Sequence, residues 1–432
     1  MRTLFALLTI LGIAMASSLP TYETKTLKNG LEIYVIPMDN GANVISTDIF
    51  YKVGSRNEIM GKTGIAHMLE HMNFKSTKNL DAGQFDEEVK SVGGVSNAST
   101  GFDYTHYFIK SSSENLDKSL SLFSELMQNL NLKDDEFQPE RNVVAEERRW
   151  RTDNNPLGYL YFRLFNNAYT YHPYHWTPIG FMNDIQTWSL EDIKNFHETY
   201  YQPNNAILIV TGDIDAETVF KKAQEHFGAL KPGPQIPEFK FVEPEQDGPK
   251  RVTLYKESEV EMVAIAFHIP DFTHEDQPRL SAISEMLSSG KSSRLYEELV
   301  DKKQMVNQVY AYNMENIDPG LFLFLGVCNP GVTAEEVEKA FIEQIEKIKS
   351  ENVSKAELEK VKINTRADFV FSLESSSSVA DLFGGYLARG DLKPLQEYEE
   401  KINALTAKEI RTAAQKYFDL TKSTTIILRK AQ

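Results

Sequence analysis

The feature that most constrains the fold is an internal repeat. Ser189-Leu190-Glu191-Asp192-Ile193 runs on to Tyr200-Tyr201, and Thr406-Ala407-Lys408-Glu409-Ile410 runs on to Tyr417-Phe418, with the same internal spacing and an offset of 217 residues. In each copy a hydroxyl residue stands three positions before an acidic one, the pattern by which a helix caps its own first turn. An apolar run follows each helix, at residues 206–210 and 424–428, and is expected to form a strand. Two copies of one helix–strand unit, half a chain apart, imply two related modules. Residues 231–250, KPGPQIPEFKFVEPEQDGPK, lie between them, and their proline and charge content marks a linker. The expected division is a first module over 21–230, a linker over 231–250 and a second module over 251–432.

Only the first module carries a metal-binding pattern. Residues 54–77 read GSRNEIMGKTGIAHMLEHMNFKST, and Ala66, Met68, Leu69, Glu70 and Met72 all favour a helix. On that helix His67 and His71 stand one turn apart on one face, with Glu70 beside them. Two neutral imidazoles at this spacing can reach one Zn2+, while a carboxylate that does not ligate can take a proton from water; the set suits peptide-bond hydrolysis. Strands are expected over 32–37 and 44–53, a helix over 79–90, and a strand pattern over 100–109 after the break at Gly93-Gly94. The helix expected over 137–150, FQPERNVVAEERRW, places Glu140 and Glu147 two turns apart on one side. In the second module, strands over 252–255 and 260–269 lead to a helix over 278–288, where the 217-residue offset puts Ser284 and Ser288 in place of His67 and His71. No metal grip is repeated there. His172 and His175, set among Pro173 and Pro178, read as part of a rigid loop rather than a second metal site.

GSRNE upstream of the histidines, Gly64, and HMNFKST downstream together resemble the inverted-zincin signature of the pitrilysin and insulinase family (M16), closest to its mitochondrial-processing-peptidase-like branch. The resemblance extends over nearly the whole chain, including the blocks at 166–169 and 172–180. It implies an α+β fold of two homologous modules, each an antiparallel sheet with helices packed on one face, forming a half-clam. It also implies that ERNVVAEE donates the third zinc ligand: Glu147, with Glu140 orienting a ligand and Glu146 as the rival. Residues 95–100 resemble the family's substrate-binding edge strand, in which Asn97 and Ala98 contact the backbone of an extended peptide. The expected activity is that of a zinc metalloendopeptidase with Glu70 as general base, acting on extended peptides or small unfolded proteins inside a closed chamber. Two competing readings are a non-catalytic scaffold subunit, against which the intact Glu70 argues, and a hydrolase of a different bond, against which the peptide-binding edge argues.

The second module departs from the family pattern. Residues 292–312, SSRLYEELVDKKQMVNQVYAY, match at both ends, but the Arg and Tyr that the family directs at substrate fall on Val300 and Asn307. Valine cannot donate a hydrogen bond, and transition-state charge needs donors in place. Arg294, Tyr310 and Tyr312 are nearby, each requiring a shift of register to serve. The expected partner is therefore a homologous subunit carrying the Arg/Tyr pair, with a homodimer as the alternative.

The N-terminus, MRTLFALLTILGIAMASSLP, has a basic Arg2, an apolar run over 4–15 and a small-residue site before Ser17, so a secretory signal at 1–16, cleaved after Ala16, is expected. The run is shorter than the ~20 residues that span a bilayer. The periplasm is the expected compartment, with release to the medium as the alternative. Cys328 is the single cysteine, so no intrachain disulfide can form. A net charge of −16 with dispersed Lys and Arg argues against nucleic acid as a partner. The same charge would draw basic peptides to an acidic chamber, or simply maintain solubility.

Overall fold

The computed structural model describes residues 19–39 and 41–431, so the signal segment expected at 1–16 lies outside the described residues. Two sheets organise the chain. The first contains β1 (Glu23–Thr26), β2 (Glu32–Pro37), β3 (Val44–Tyr51), β4 (Val95–Thr100), β5 (Thr105–Ser112) and β6 (Ala206–Gly212), in the order β1-β2-β6-β3-β5-β4. The second contains β7 (Lys250–Lys256), β8 (Met262–His268), β9 (Val306–Asn313), β10 (Leu321–Cys328) and β11 (Thr424–Lys430), in the order β7-β11-β8-β10-β9. Apart from the extra β1, the two orders coincide, so the repeat legible in two capping boxes extends to the whole topology. Both capping boxes form, at Ser189 and at Thr406.

The sheets are antiparallel except for one pair each: β2 runs parallel to β6, and β7 parallel to β11. The expectation of purely antiparallel sheets is corrected to mixed ones. In each module the last strand inserts between two earlier ones: β6 lies between β2 and β3, and β11 between β7 and β8, parallel to the first of each pair and antiparallel to the second.

Helices cover both faces of each sheet, a second correction. One face is covered from within the module: Leu116, Leu120 and Phe123 of the helix Leu116–Asn129 share a core with Ile33, Val35, Ile45 and Ile49. The other face is covered from the opposite half. The helix Pro156–Ala168 places Leu160, Leu164 and Phe165 against Leu254, Ala264, Leu323 and Ile426 of the second sheet. Reciprocally, the helix Ser376–Arg389 places Val379, Ala380 and Phe383 against Ile36, Phe50, Ile207 and Ile209 of the first. A Cβ at Gly384 would come within 2.1 Å of the Phe50 ring, so this helix seats only because that residue is glycine. Burial on both faces explains why β6, β8 and β10 read as continuous apolar runs rather than alternating ones.

Residues 231–249 form neither helix nor strand, yet they are docked. Glu243 accepts backbone N–H groups of Thr170, Tyr171 and His172, and Ile236 and Phe239 rest on the first core. Two local expectations are also revised. The helix expected from residue 79 begins at Gln84, after Gly83 at φ 84°, because Thr77 and Asn79 instead bond Glu125. The strand pattern expected over 100–109 belongs to two strands, β4 and β5, joined by a turn at 101–104.

Candidate metal centre

The helix Ile65–Met72 buries Ile65, Ala66, Met68, Leu69 and Met72, which leaves His67, Glu70 and His71 on the remaining face. Its N-terminus has no side-chain cap of its own, since Gly64 takes a left-handed conformation at φ 85°. Glu58 supplies the cap from outside. Its buried carboxylate accepts the N–H groups of Gly64 and Ala66 and the indole N–H of Trp176, each at 2.8 Å. Burial pushes this carboxyl up to about 8, against the pull of those three donors.

Glu147, near the end of the helix Asp134–Arg148, completes a ligand set. Its Oε2 lies 3.6 Å from His67 Nε2 and 3.3 Å from His71 Nε2, and one ligand atom from each residue falls within 4.8 Å of the others. Glu140, two turns earlier, meets His71 Nδ1 at 2.8 Å through Oε1 and Lys75 Nζ at 2.6 Å through Oε2. A proton on Nδ1, donated to Glu140, would leave Nε2 free to ligate a metal.

Burial works against charge on His71, but its hydrogen bonds with Glu140 and Glu147 outweigh it and hold the imidazole at about 9. Burial and the neighbouring His71 pull His67 down to about 4. The hydrogen bond with His71 keeps the Glu147 carboxyl below its usual range despite burial. His67 Nδ1 is buried without a partner, and Nε2 of both histidines converges on Glu147 Oε2. Two imidazoles and one carboxylate, open on one side to a cavity of about 860 Å³, fit the donor set of a zinc site with a free position.

Glu70 stands outside the ligand group. Its Oε2 accepts the Thr100 hydroxyl at 2.7 Å, and burial raises its pKa against that bond. Thr100 ends β4, which lies at the edge of its sheet, paired on one side only with β5. Asn97 and Ala98 line the same cavity as the histidines, with Asn97 Oδ1 accepting the Ala98 N–H at 2.9 Å.

Glu146, the rival ligand, is 73% exposed and pairs with Arg149. His172 and His175 are satisfied by Asp318 and by the Tyr169 carbonyl, and the set of His67, His71 and Glu147 is the one potential metal group among the described residues. In the second module the Ser284 and Ser288 hydroxyls both donate to the Ala311 carbonyl at 2.8 Å. Val300 packs on the second core and Asn307 is exposed on β9. Arg294 is held in a two-bond pair with Glu357, while Tyr310 and Tyr312 are exposed. Glu58 went unrecognised in the sequence, and so did Arg151, whose Nε lies 2.9 Å from Glu147 Oε1. Its spacing, four residues after Glu147, was the available signal.

Residues 34–174 match the family described as Insulinase (Peptidase family M16), and residues 187–365 match the Peptidase M16 inactive domain. The chain is 54% identical over 428 residues to the zinc protease PqqE of Helicobacter pylori, covering 98% of this chain and 96% of that one. The crystal structure of a protease from Helicobacter pylori superposes with a TM-score of 0.94 at 54% identity, over 95% of this chain and 100% of that one. The periplasmic protease PqqL from Escherichia coli shares the fold at a TM-score of 0.78 and 19% identity, over 94% of this chain and 47% of that one. The mirrored modules, the inverted histidine pair on one of them and these matches along both halves agree, and the chain belongs to the insulinase family of peptidases, M16.

Proposed function

We propose that this protein is a zinc-dependent endopeptidase that binds extended peptides along β4. The observation that carries the reading is the convergence of His67, His71 and Glu147 beside an open strand edge, with Glu70 held next to them but outside the ligand set. A zinc ion held by these three residues supplies Lewis acidity, polarising a carbonyl and acidifying water. The chain's own residues do the rest. The unpaired edge of β4 offers main-chain donors and acceptors to a peptide, so it tolerates many sequences, and Asn97 and Ala98 lie along that path. Glu70 takes a proton from the attacking water and returns it to the leaving amine. Thr100 fixes one Glu70 oxygen and leaves the other for the water, while burial raises the proton affinity the carboxylate needs to act as base and then acid. Glu140 and Lys75 hold the His71 ring in its ligating orientation. The test is cleavage of an unstructured basic peptide before and after chelation, and again after restoring zinc. Cleavage that persists in the metal-free protein would contradict the reading.

The finer proposal is a homologous partner that closes over the centre and brings an Arg/Tyr pair, with a homodimer as the alternative. It rests on Val300 and Asn307, neither of which presents such a donor, and on Arg294, which is committed to Glu357. Losing one transition-state donor costs ~10²-fold or more in rate. Peptide cleavage by the purified chain, alone and co-expressed with homologous chains of its own genome, tests this; a rate that no such chain raises would count against it. We also propose export to the periplasm, from the character of residues 1–16, which cell fractionation would test.

A further inference from the structure

Arg151 sits one turn beyond Glu147, where residues Arg149–Asp153 widen into a π-turn at the end of the metal-site helix. Such turns re-aim side chains and recur at functional sites. The next helix presses on this one so closely that a Cβ at Gly158 would come 1.9 Å from the Arg151 carbonyl oxygen, which fixes the backbone at that point. The side chain is directed as well. Arg151 Nε meets Glu147 Oε1, while the other oxygen, Oε2, faces His67 and His71. Glu147 is its one ion partner among the described residues, and Arg151 lines the cavity that His67 and His71 open on. Lys75, the other cation that lines it, is bound to Glu140.

An exposed pair of this spacing usually has little energetic weight. Here the geometry gives it a direction. A guanidinium has five donors on a rigid plane, so with Nε occupied by Glu147 the two terminal nitrogens keep theirs. We infer that Arg151 is a catalytic residue that donates to the oxygen of the carbonyl under attack, providing within this chain a cationic donor of the kind that Val300 and Asn307 do not. The inference rests on the peptidase reading and narrows what a partner would have to bring.

The experiment compares the zinc-loaded wild type with Arg151→Ala and Arg151→Lys. Three quantities are measured: zinc per chain, kcat and KM for an unstructured peptide, and affinity for a phosphinic peptide that carries a tetrahedral anion. Arg151→Ala is expected to keep its zinc, to lose about 10²-fold in kcat with little change in KM, and to lose a similar factor in phosphinic-peptide affinity. Millimolar guanidinium should restore part of the rate to Arg151→Ala, and Arg151→Lys should lie between the two. Unchanged kcat and phosphinic-peptide affinity in Arg151→Ala would overturn the inference and leave the peptidase reading standing. So would a loss accounted for entirely by missing zinc, which would make Arg151 a positioning residue for Glu147. A wild type that neither cleaves nor binds the phosphinic peptide would remove the peptidase reading and this inference with it.

Discussion

Glu146 and Glu147 are neighbours in sequence with opposite surroundings. Glu147 points between two imidazoles, whereas Glu146 points to solvent and Arg149. Glu147→Ala is therefore expected to lose zinc and Glu146→Ala to keep one zinc per chain, which metal analysis of the purified variants checks. Glu140→Ala should weaken zinc affinity about 10- to 100-fold, measured by chelator competition, because His71 loses the acceptor that orients it. At this scale much was legible. The spacing of His67, Glu70 and His71 gives their shared face directly, and seven residues between Glu140 and Glu147 give theirs. Choosing Glu147 over Glu146 needed the family resemblance, since helical spacing alone does not say which side of a helix meets another helix. Glu58 and Arg151 escaped because their roles depend on contacts: a carboxylate reaching forward to a helix start, and a guanidinium whose direction is set by a π-turn.

Elements were read well where a local signal starts or stops them. The capping boxes at Ser189 and Thr406 form, and the helix expected over 278–288 forms as Gln277–Ser288. The helix Pro156–Ala168 was missed, although Asn155 caps it by accepting the N–H groups of Leu157 and Gly158 and Pro156 opens it. The parallel strand pairs were not legible, because pairing partners are chosen by tertiary topology. One element contact is open to a pH test. Asp276 ties the start of the helix Gln277–Ser288 to the helix Ala407–Tyr417: Lys416 Nζ and the Tyr417 hydroxyl both lie 2.7 Å from Oδ2, and Arg279 pairs with Oδ1. Burial opposes its charge, but these partners hold the carboxyl down at about 2, against 3.8 unperturbed. A depressed carboxyl stabilises the fold above its unfolded value, and that contribution is lost as pH falls through the folded one. Asp276→Asn should accordingly cost about 2 kcal/mol at neutral pH, and urea unfolding of both proteins should show the gap narrowing below pH ~4.

At the scale of the molecule, each half supplies the helix that covers the other's sheet, so neither module is expected to fold on its own. The repeat identified two copies, but the exchange between them is a property of packing that no local pattern records. Residues 19–230 alone would leave Ile36, Phe50, Ile207 and Ile209 uncovered and would expose Leu160, Leu164 and Phe165. That fragment is expected to aggregate or to bind a hydrophobic dye, and to become soluble when co-expressed with residues 231–431; a cooperatively unfolding monomer would contradict the exchange. The interlocked frame also holds the metal centre, since Glu147 and Arg151 lie just before the exchanged helix and the histidines lie on the first module's own face. The claim that this frame carries a hydrolytic zinc centre is tested most directly by one comparison, of zinc content and peptide cleavage in wild type and Glu70→Gln. The account predicts equal zinc and a loss of cleavage of at least about 10²-fold. Cleavage retained at the wild-type rate with zinc bound would contradict it.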